Sequence, residues 1–428
     1  MSDVVASNMN LYATVAAGLA GAAVLGYFCL IPMLNKRARA IMVGLLDEAG
    51  IKVGTFDSPD GADIVVHDEN MWLDWMSNGM LAIGESYMAK QWESKTDLDV
   101  VLYRLMALPS SAKRRMFKSW NAKMIALSAR VFNYQSVARA GMVGAHHYDE
   151  GNDFYAKWLD PALQYSCAYW KHTENLPAHK DAMRTPEALE SAQIAKMRLI
   201  GDKLKLEPGM TVLEIGCGWG GLAVFLAKEY NVHVTGITIS NEQLKGARER
   251  AAVNKVSELT SFEYEDYRTC DRQFDRVVSI AMLEAVGYKN LDHYFTVVRR
   301  CTKEGGLAVV HSICANRSTK TAHQRWITRY IFPNGFLPSL TQCAEFAERK
   351  FAVEDVHNLG PDYDKTLMCW HEQFQSHYAA GTIERPVLFK RMWEFYLVYC
   401  AAGFRARTIQ LYQFVLTKHR AERYDAPR

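Results

Sequence analysis

A chain of 428 residues, 49% hydrophobic and 23% charged, is neither a disordered polymer nor one small core; two domains, or one large core with sizeable additions, are expected. The net charge of +3 hides an uneven distribution, and nine cysteines without paired spacing exclude a disulfide scaffold and point to a reducing compartment. No C-x-x-C pair or His/Cys cluster has zinc spacing, and no internal repeat is present.

Leu11 to Met33 carries no charge and is rich in Ala, Gly, Leu and Val; Lys36, Arg37 and Arg39 follow it. That length crosses a hydrocarbon core, and the basic flank would leave the rest of the chain in the cytoplasm. The alternative is a small-residue helix buried in the protein or at an oligomer interface. A cleaved signal peptide fits poorly, because residues 1 to 10 hold no Lys or Arg and the apolar run is long.

Ala40 to Trp92 reads as a small mixed unit, with short strands at Ile51–Phe56 and Ala62–Val66 and a turn into helix at Gly84–Met88. Between Val101 and Ala145 the charge becomes single-signed: eight basic residues, Arg114 and Arg115 among them, and no Asp or Glu. Apolar Met116, Phe117, Trp120 and Phe132 interleave with these cations, whose stems can lie over apolar surface. An anionic lipid surface suits the pattern, at ~1 kcal/mol per nearby cation. A plain solvated face and nucleic-acid binding are the alternatives, the second without any finger, RNA-binding motif or aromatic strand platform to support it.

His146 to Tyr155 is dense in polar and aromatic groups, and Gln164-Tyr-Ser-Cys-Ala-Tyr-Trp170 follows. Hydroxyls of Tyr165 and Ser166 can contact a ligand, with Cys167 lining the same cavity. A nucleophilic Cys167 needs a depressed pKa and a nearby base; a buried, inert thiol is the usual case. Glu187 to Leu204 is predicted as a helix whose Ala188, Leu189, Ala192, Ala195 and Leu199 gather on one face.

Thr211 to Ile215 is a β-branched and aliphatic run that breaks into Gly216, Gly218, Gly220 and Gly221, with an apolar-periodic run from Leu222. This reads as strand, tight turn, helix. Val232–Thr238 is the next strand, and Ser240 or Asn241 caps the helix after it. The glycines fall short of the dinucleotide fingerprint, leaving a dinucleotide domain and a methyl-donor domain as the two readings, with the pattern favouring the second.

Further strands are expected at Thr260–Tyr264, Phe274–Ile280, Leu307–Ile313, Phe351–Val356 and Ile409–Thr417, with helices at Glu242–Val253 and Asn290–Arg300. The closing strands fit a mixed seven-stranded methyltransferase sheet. Glu265-Asp-Tyr267 lies at a strand end, where a carboxylate can receive an adenine amino group. Thr319 to Lys350 and Tyr363 to Gly403 are large insertions, rich enough in aromatics for a hydrocarbon wall, although any one of them can simply be core.

The ordered motifs HYDEGNDFY, QYSCAYW, VLEIGCGWGG, GITIS, EDYR, YIFPNGFLPS, GPDYD and FRARTIQLYQ give the chain, from about Ala62 through Thr417, a resemblance to the cyclopropane-fatty-acyl-phospholipid synthases, members of the S-adenosylmethionine-dependent methyltransferases. The resemblance implies an α/β fold, a seven-stranded class I methyltransferase sheet with inserted helices over residues 146–428, behind a smaller, mainly helical, lipid-engaging domain over 36–145. Residues 1–35, additional to many soluble members, would be an anchoring segment on the strength of their apolar run alone. It implies S-adenosylmethionine among Tyr165, Ser166, Gly216, Gly218, Thr238, Ile239 and Gln243, with Asp266 and Tyr267 near the adenine. It also implies a bicarbonate ion held by Cys167, Glu284, His311, Ile313 and Tyr363. The implied substrate is an unsaturated phospholipid in an anionic membrane, met at its cytoplasmic face; nucleic acid is not an expected partner, and a homodimer is left open. One departure stands out: Ala285 follows Glu284, where the family commonly has histidine.

Overall fold

The computed structural model describes residues 31–109, 111–112, 151–171, 184–320, 324–419 and 422–428. Most of Leu11–Met33, the basic stretch from Lys113 through Arg139, and His146–Glu150 lie outside the described residues. Among those described, no helix is long and apolar enough to cross a membrane. The chain divides into two compact units, one holding the described residues of Met1–Asp97 and Leu108–Met142, the other those of Leu98–Ala107 and Val143–Arg428.

In the first unit, a helix over residues 31–48 (α1) precedes β1 (Val53–Thr55) and β2 (Ile64–Val66), then α2 (Met71–Asn78), α3 (Met80–Met88) and β3 (Trp92–Ser94). β1 and β2 run parallel, and β3 is antiparallel to β2. Gly54 is required where it stands, because a Cβ there would lie 2.8 Å from that of Ala62. The core is built on Trp72, Trp75 and Trp92, and the Ser86 hydroxyl accepts from the indoles of Trp75 at 2.7 Å and Trp92 at 3.1 Å. Gly84–Met88 is therefore no turn but the last half of α3. Its apolar face, with Tyr87 5.2 Å from the Trp92 ring, outweighs the roughly 1 kcal/mol that glycine costs a helix.

The second unit opens with α4 (Leu98–Ala107), a short helix α5 (Asn152–Ala156) and α6 (Pro186–Lys203). There follow β4 (Thr211–Ile215), α7 (Gly221–Tyr230), β5 (His233–Thr238), α8 (Asn241–Val253), β6 (Thr260–Tyr264), β7 (Phe274–Ile280), α9 (Leu291–Cys301) and β8 (Thr302–Ala315). α10 (Arg325–Tyr330), α11 (Leu340–Ala347), β9 (Ala352–Asn358), α12 (Gly360–Ala379), α13 (Val387–Arg405) and β10 (Ile409–Thr417) complete it. The seven strands lie in the order β6-β5-β4-β7-β8-β10-β9. The first five are parallel, and β10 is antiparallel to both β8 and β9.

Alternate residues of these strands feed two apolar layers, as a sheet covered on both faces demands. Val212, Val234, Val278 and Val309 pack with α6, α7 and α8. Leu213, Val277, Ala308 and Val310 pack with α9 and α11. β8 begins at Thr302, five positions ahead of the Leu307 expected from its apolar run, because Gly306 brings the backbone so near the Asp275 carbonyl that a Cβ would sit 2.8 Å from it. α4 is tied to the two long insertion helices by Arg405, which donates to Asp99 at 2.6 Å and to both oxygens of Asp364 at 2.8 Å.

Candidate active site

The glycine turn after β4 is shaped by what it must approach. A Cβ on Gly221 would lie 2.1 Å from the Ala162 carbonyl oxygen, and one on Gly220 would lie 2.8 Å from the Ala247 Cβ. Gly218 differs: its φ of +52° favours glycine, yet a Cβ there would meet nothing within 4 Å. The turn is thus closed towards the chain at Gly220 and Gly221 and open at Gly218, where a ligand can come close to backbone.

At the end of β5 the Thr238 hydroxyl donates to Gln243 at 3.0 Å, and Ser240 caps α8 through the Gln243 amide. Ile239, between them, is 66% exposed, an apolar side chain presented at the carboxyl end of the sheet. Asp266 follows β6, and both its oxygens already accept from Arg268, which holds its carboxyl below the usual range. Tyr267 lies edge-on to Tyr294 at 5.8 Å. Gly216, Gly218, Thr238, Ile239, Gln243, Asp266 and Tyr267 all fall at the carboxyl ends of β4, β5 and β6, where open α/β sheets bind nucleosides.

The segment carrying Tyr165, Ser166 and Cys167 is docked from two sides. From α6, Gln193 donates to the carbonyls of Gln164 and Ser166, and Lys196 to the Ser166 hydroxyl at 3.1 Å and to the Gln164 side chain. From α12, Thr366 accepts from the Ala168 amide at 3.1 Å and Asp362 from the Trp170 amide at 2.9 Å. The Tyr165 hydroxyl shares a 2.8 Å hydrogen bond with that of Tyr396. Its ring lies among Tyr155, Trp158 and Trp370, at 5.6, 5.4 and 5.4 Å. Cys167 is wholly buried, and burial, reinforced by Asp362, holds its thiol well above the ordinary value. Such a thiol stays protonated and is a poor nucleophile.

Glu284 sits on a single turn, Leu283–Ala285, just past β7. Its Oε1 accepts from the Ile313 amide at 2.6 Å, while Oε2 is sealed from solvent with no partner among the described residues. Burial raises its carboxyl to about 7, against the opposing pull of that amide. His311, two residues before Ile313 on β8, is buried; its Nδ1 meets the Gln413 amide at 3.1 Å and its Nε2 has no partner among the described residues. Burial, then the charges of Lys196 and Lys203, keeps the ring neutral. Tyr363, in the first turn of α12, stacks on Phe404 at 4.7 Å and lies near Cys167 and Glu284. Cys167, Glu284, His311, Ile313 and Tyr363 therefore come from four separate elements to one end of the sheet.

Two residues that the apolar periodicity of α6 concealed are Gln193 and Lys196. They recur with Ile200 and Lys203 at spacings of three and four, which places a polar stripe on a buried face. Burial lowers Lys196 to about 8 and raises Glu214, on β4, to about 8, each partly offset by the other's charge. Of the insertion aromatics, Trp326, Trp370, Phe374 and Phe395 are core side chains. Tyr396 and Phe332, 5.9 Å apart, border Tyr165.

The strand order, the single antiparallel strand between β8 and β9 and the glycine turn after the first strand of the sheet define a class I methyltransferase. Residues 135–414 match the family model described as mycolic acid cyclopropane synthetase. The chain is 43% identical over 374 residues to the cyclopropane-fatty-acyl-phospholipid synthase of Escherichia coli, covering 87% of this chain and 92% of that protein. It is 32% identical over 395 residues to a tuberculostearic acid methyltransferase of Mycobacterium tuberculosis, covering 90% of each. Among solved structures it is similar to mycolic acid cyclopropane synthase CmaA1 complexed with SAH and CTAB, with a TM-score of 0.56 and 30% identity over 64% of this chain and 96% of that one. The chain belongs to the cyclopropane-fatty-acyl-phospholipid synthase family of S-adenosylmethionine-dependent methyltransferases.

Proposed function

We infer that the protein is an enzyme that converts the cis double bond of an unsaturated acyl chain into a cyclopropane ring, with S-adenosylmethionine as the source of the added carbon. One observation carries the chemical reading. Two side chains, a half-buried Glu284 just past β7 with its carboxyl poised near neutrality and a buried, neutral His311 on the adjacent β8, each keep one buried polar atom without a partner among the described residues. Such atoms are costly unless something outside the protein satisfies them.

The donor is held at Gly216 and Gly218, by Thr238, Ile239 and Gln243, and by Tyr165 and Ser166, with Asp266 and Tyr267 at the adenine end. Bound there, it supplies an electrophilic methyl group. The alkene's electron pair bonds to that carbon as the carbon–sulfur bond breaks, S-adenosylhomocysteine leaves, and loss of one proton from the new methyl closes the ring. Positive charge on the acyl chain is favoured by aromatic faces such as Tyr165 and Tyr363, and water is kept out by the apolar wall.

The proton must leave through a base, and bicarbonate fits the residues present. His311 and the Tyr363 hydroxyl would hold the anion as donors, and the unpartnered Glu284 oxygen would accept the ion's own hydrogen. Ile313 keeps Glu284 turned towards the site through its amide, and Cys167 lines the site as a thiol. Cys167→Ser should then keep turnover within about tenfold of wild type in an isotopic methyl-transfer assay, since no covalent step is required. Complete loss with intact folding and donor binding would restore a nucleophilic role.

The acyl chain belongs to a phospholipid, met at the cytoplasmic face of an anionic membrane by the N-terminal domain (36–145) and its basic stretch, with residues 11–33 as anchor. Nucleic acid is not a partner in this reading. Neutralising Arg114 and Arg115 together should weaken binding to anionic vesicles at low salt by about 30-fold, given ~1 kcal/mol per cation. Unchanged vesicle affinity would remove the basic stretch from lipid binding.

The function is tested by incubating the protein with a defined cis-unsaturated phospholipid, bicarbonate and ¹³C-methyl donor, then recording product NMR. Upfield ring-proton signals support cyclopropanation. Ala285 is exposed beside Glu284, and methyl-branch or vinylidene signals in place of ring protons would establish a branched or methylene-bearing product instead.

A further inference from the structure

The His311 ring is held from behind by a buried hydrogen-bond chain that no feature of the donor or anion site requires. Gln413 Nε2 lies 3.1 Å from His311 Nδ1, and Gln413 Oε1 lies 2.9 Å from Lys203 Nζ. Gln413 and Lys203 are both fully buried, one on β10 and one at the end of α6.

Lysine is a donor only, so the amide atom facing it must be the oxygen, and the NH₂ must face histidine. Lys203 cannot turn away, because its three N–H groups have three acceptors: Gln413 Oε1, His357 Nδ1 at 3.1 Å and Asp355 Oδ2 at 3.4 Å. His357 can accept, since burial and the neighbouring ammonium push its ring down to about 4. Asp355 is fixed in turn by Arg428, and the Tyr424 hydroxyl donates to the Lys203 carbonyl at 2.9 Å.

We propose that Gln413, oriented by Lys203, is a positioning residue that locks His311 in the tautomer with Nδ1 as acceptor and Nε2–H as donor. In a neutral imidazole the hydrogen bond at one nitrogen decides which nitrogen carries the proton. The unpartnered Nε2 is thereby always an N–H, the form an anion needs. The catalytic importance of this lock rests on the anion-site reading given above; the lock itself does not.

Gln413→Glu is the discriminating variant. It is nearly isosteric and keeps an oxygen for Lys203, but its second oxygen presents an acceptor to Nδ1. The proton must then move to Nδ1, leaving Nε2 bare. In ¹⁵N-histidine-labelled protein, with the His311 signals assigned by difference from His311→Gln, the shifts of the two ring nitrogens should exchange. The kcat should fall about tenfold or more, with the donor KM within about twofold, as for loss of an oriented partner behind a functional histidine. Lys203→Met is the second variant, in case a carboxylate is not tolerated: it frees the amide to turn and should give a mixture of tautomers. An unchanged Nε2–H tautomer in a folded variant would overturn the lock. Exchanged tautomers with undiminished kcat would uphold the lock and overturn the anion-donor role of His311.

Discussion

Glu284→Gln is expected to lower turnover by about 100-fold or more while leaving donor affinity within about threefold, because it removes a proton acceptor and little volume. The amide can still accept from Ile313, so the local fold should survive; its second end becomes a donor where an acceptor is needed. The pH profile adds a signature. Burial raises the carboxyl to about 7, so wild-type turnover should decline as pH falls through that value, and the Gln variant should lack this limb. The sign for stability is opposite. A carboxyl whose folded pKa is raised contributes stability that is full below its unfolded value of 4.5 and lost as pH rises through about 7. Above that pH the variant should therefore gain stability relative to wild type, even as it loses activity. Titrating urea unfolding and single-turnover rates on the same two proteins separates these effects. Near-normal turnover in the variant would remove Glu284 from the chemistry.

Gly221→Ala should be the more damaging change to the fold. The new methyl would lie 2.1 Å from the Ala162 carbonyl and 2.5 Å from the Gln164 amide nitrogen, and a backbone oxygen cannot swing aside as a side-chain end can. Overpacking of this kind costs about 1–3 kcal/mol, and more where backbone must shift. The displaced strand of chain leads directly into Tyr165, Ser166 and Cys167, so donor binding should weaken along with stability. Gly218→Ala is the informative companion. It meets no atom within 4 Å but must hold a φ of +52°, which costs an alanine about 1–2 kcal/mol. Calorimetric donor titration and urea unfolding distinguish the pair: Gly221→Ala should lose both properties, and Gly218→Ala should lose donor affinity out of proportion to stability. A Gly221→Ala protein that unfolds at the wild-type urea concentration would contradict the close approach.

Much of the catalytic unit was legible without coordinates. The parallel strands announced themselves as short apolar runs bounded by glycine and polar turns, and Thr211–Ile215, Thr260–Tyr264, Phe274–Ile280 and Ile409–Thr417 form with the expected bounds. Ser240 does cap its helix. The reading failed where burial overrode local preference. Gly84 lies within α3 because the Trp75 and Trp92 indoles anchor its neighbours Ile83 and Ser86, and Thr302–Gly306 joins β8 because strand pairing with β7 recruits a polar, glycine-rich stretch. Gln193, Lys196 and Lys203 look like the solvated side of a helix, since periodicity reports which residues share a face but not what that face meets.

The sequence alone therefore determined the sheet, its order of strands and helices along the chain, the glycine turn and the family, because each depends on patterns within some ten or twenty consecutive residues. Only the tertiary structure decided which ionisable groups would be stripped of water. The near-neutral Glu284, the neutral His311 and the lysine–glutamine chain behind it are created by bringing β7, β8, β10, α6 and α12 together, and desolvation is a property of that assembly, not of any segment in it.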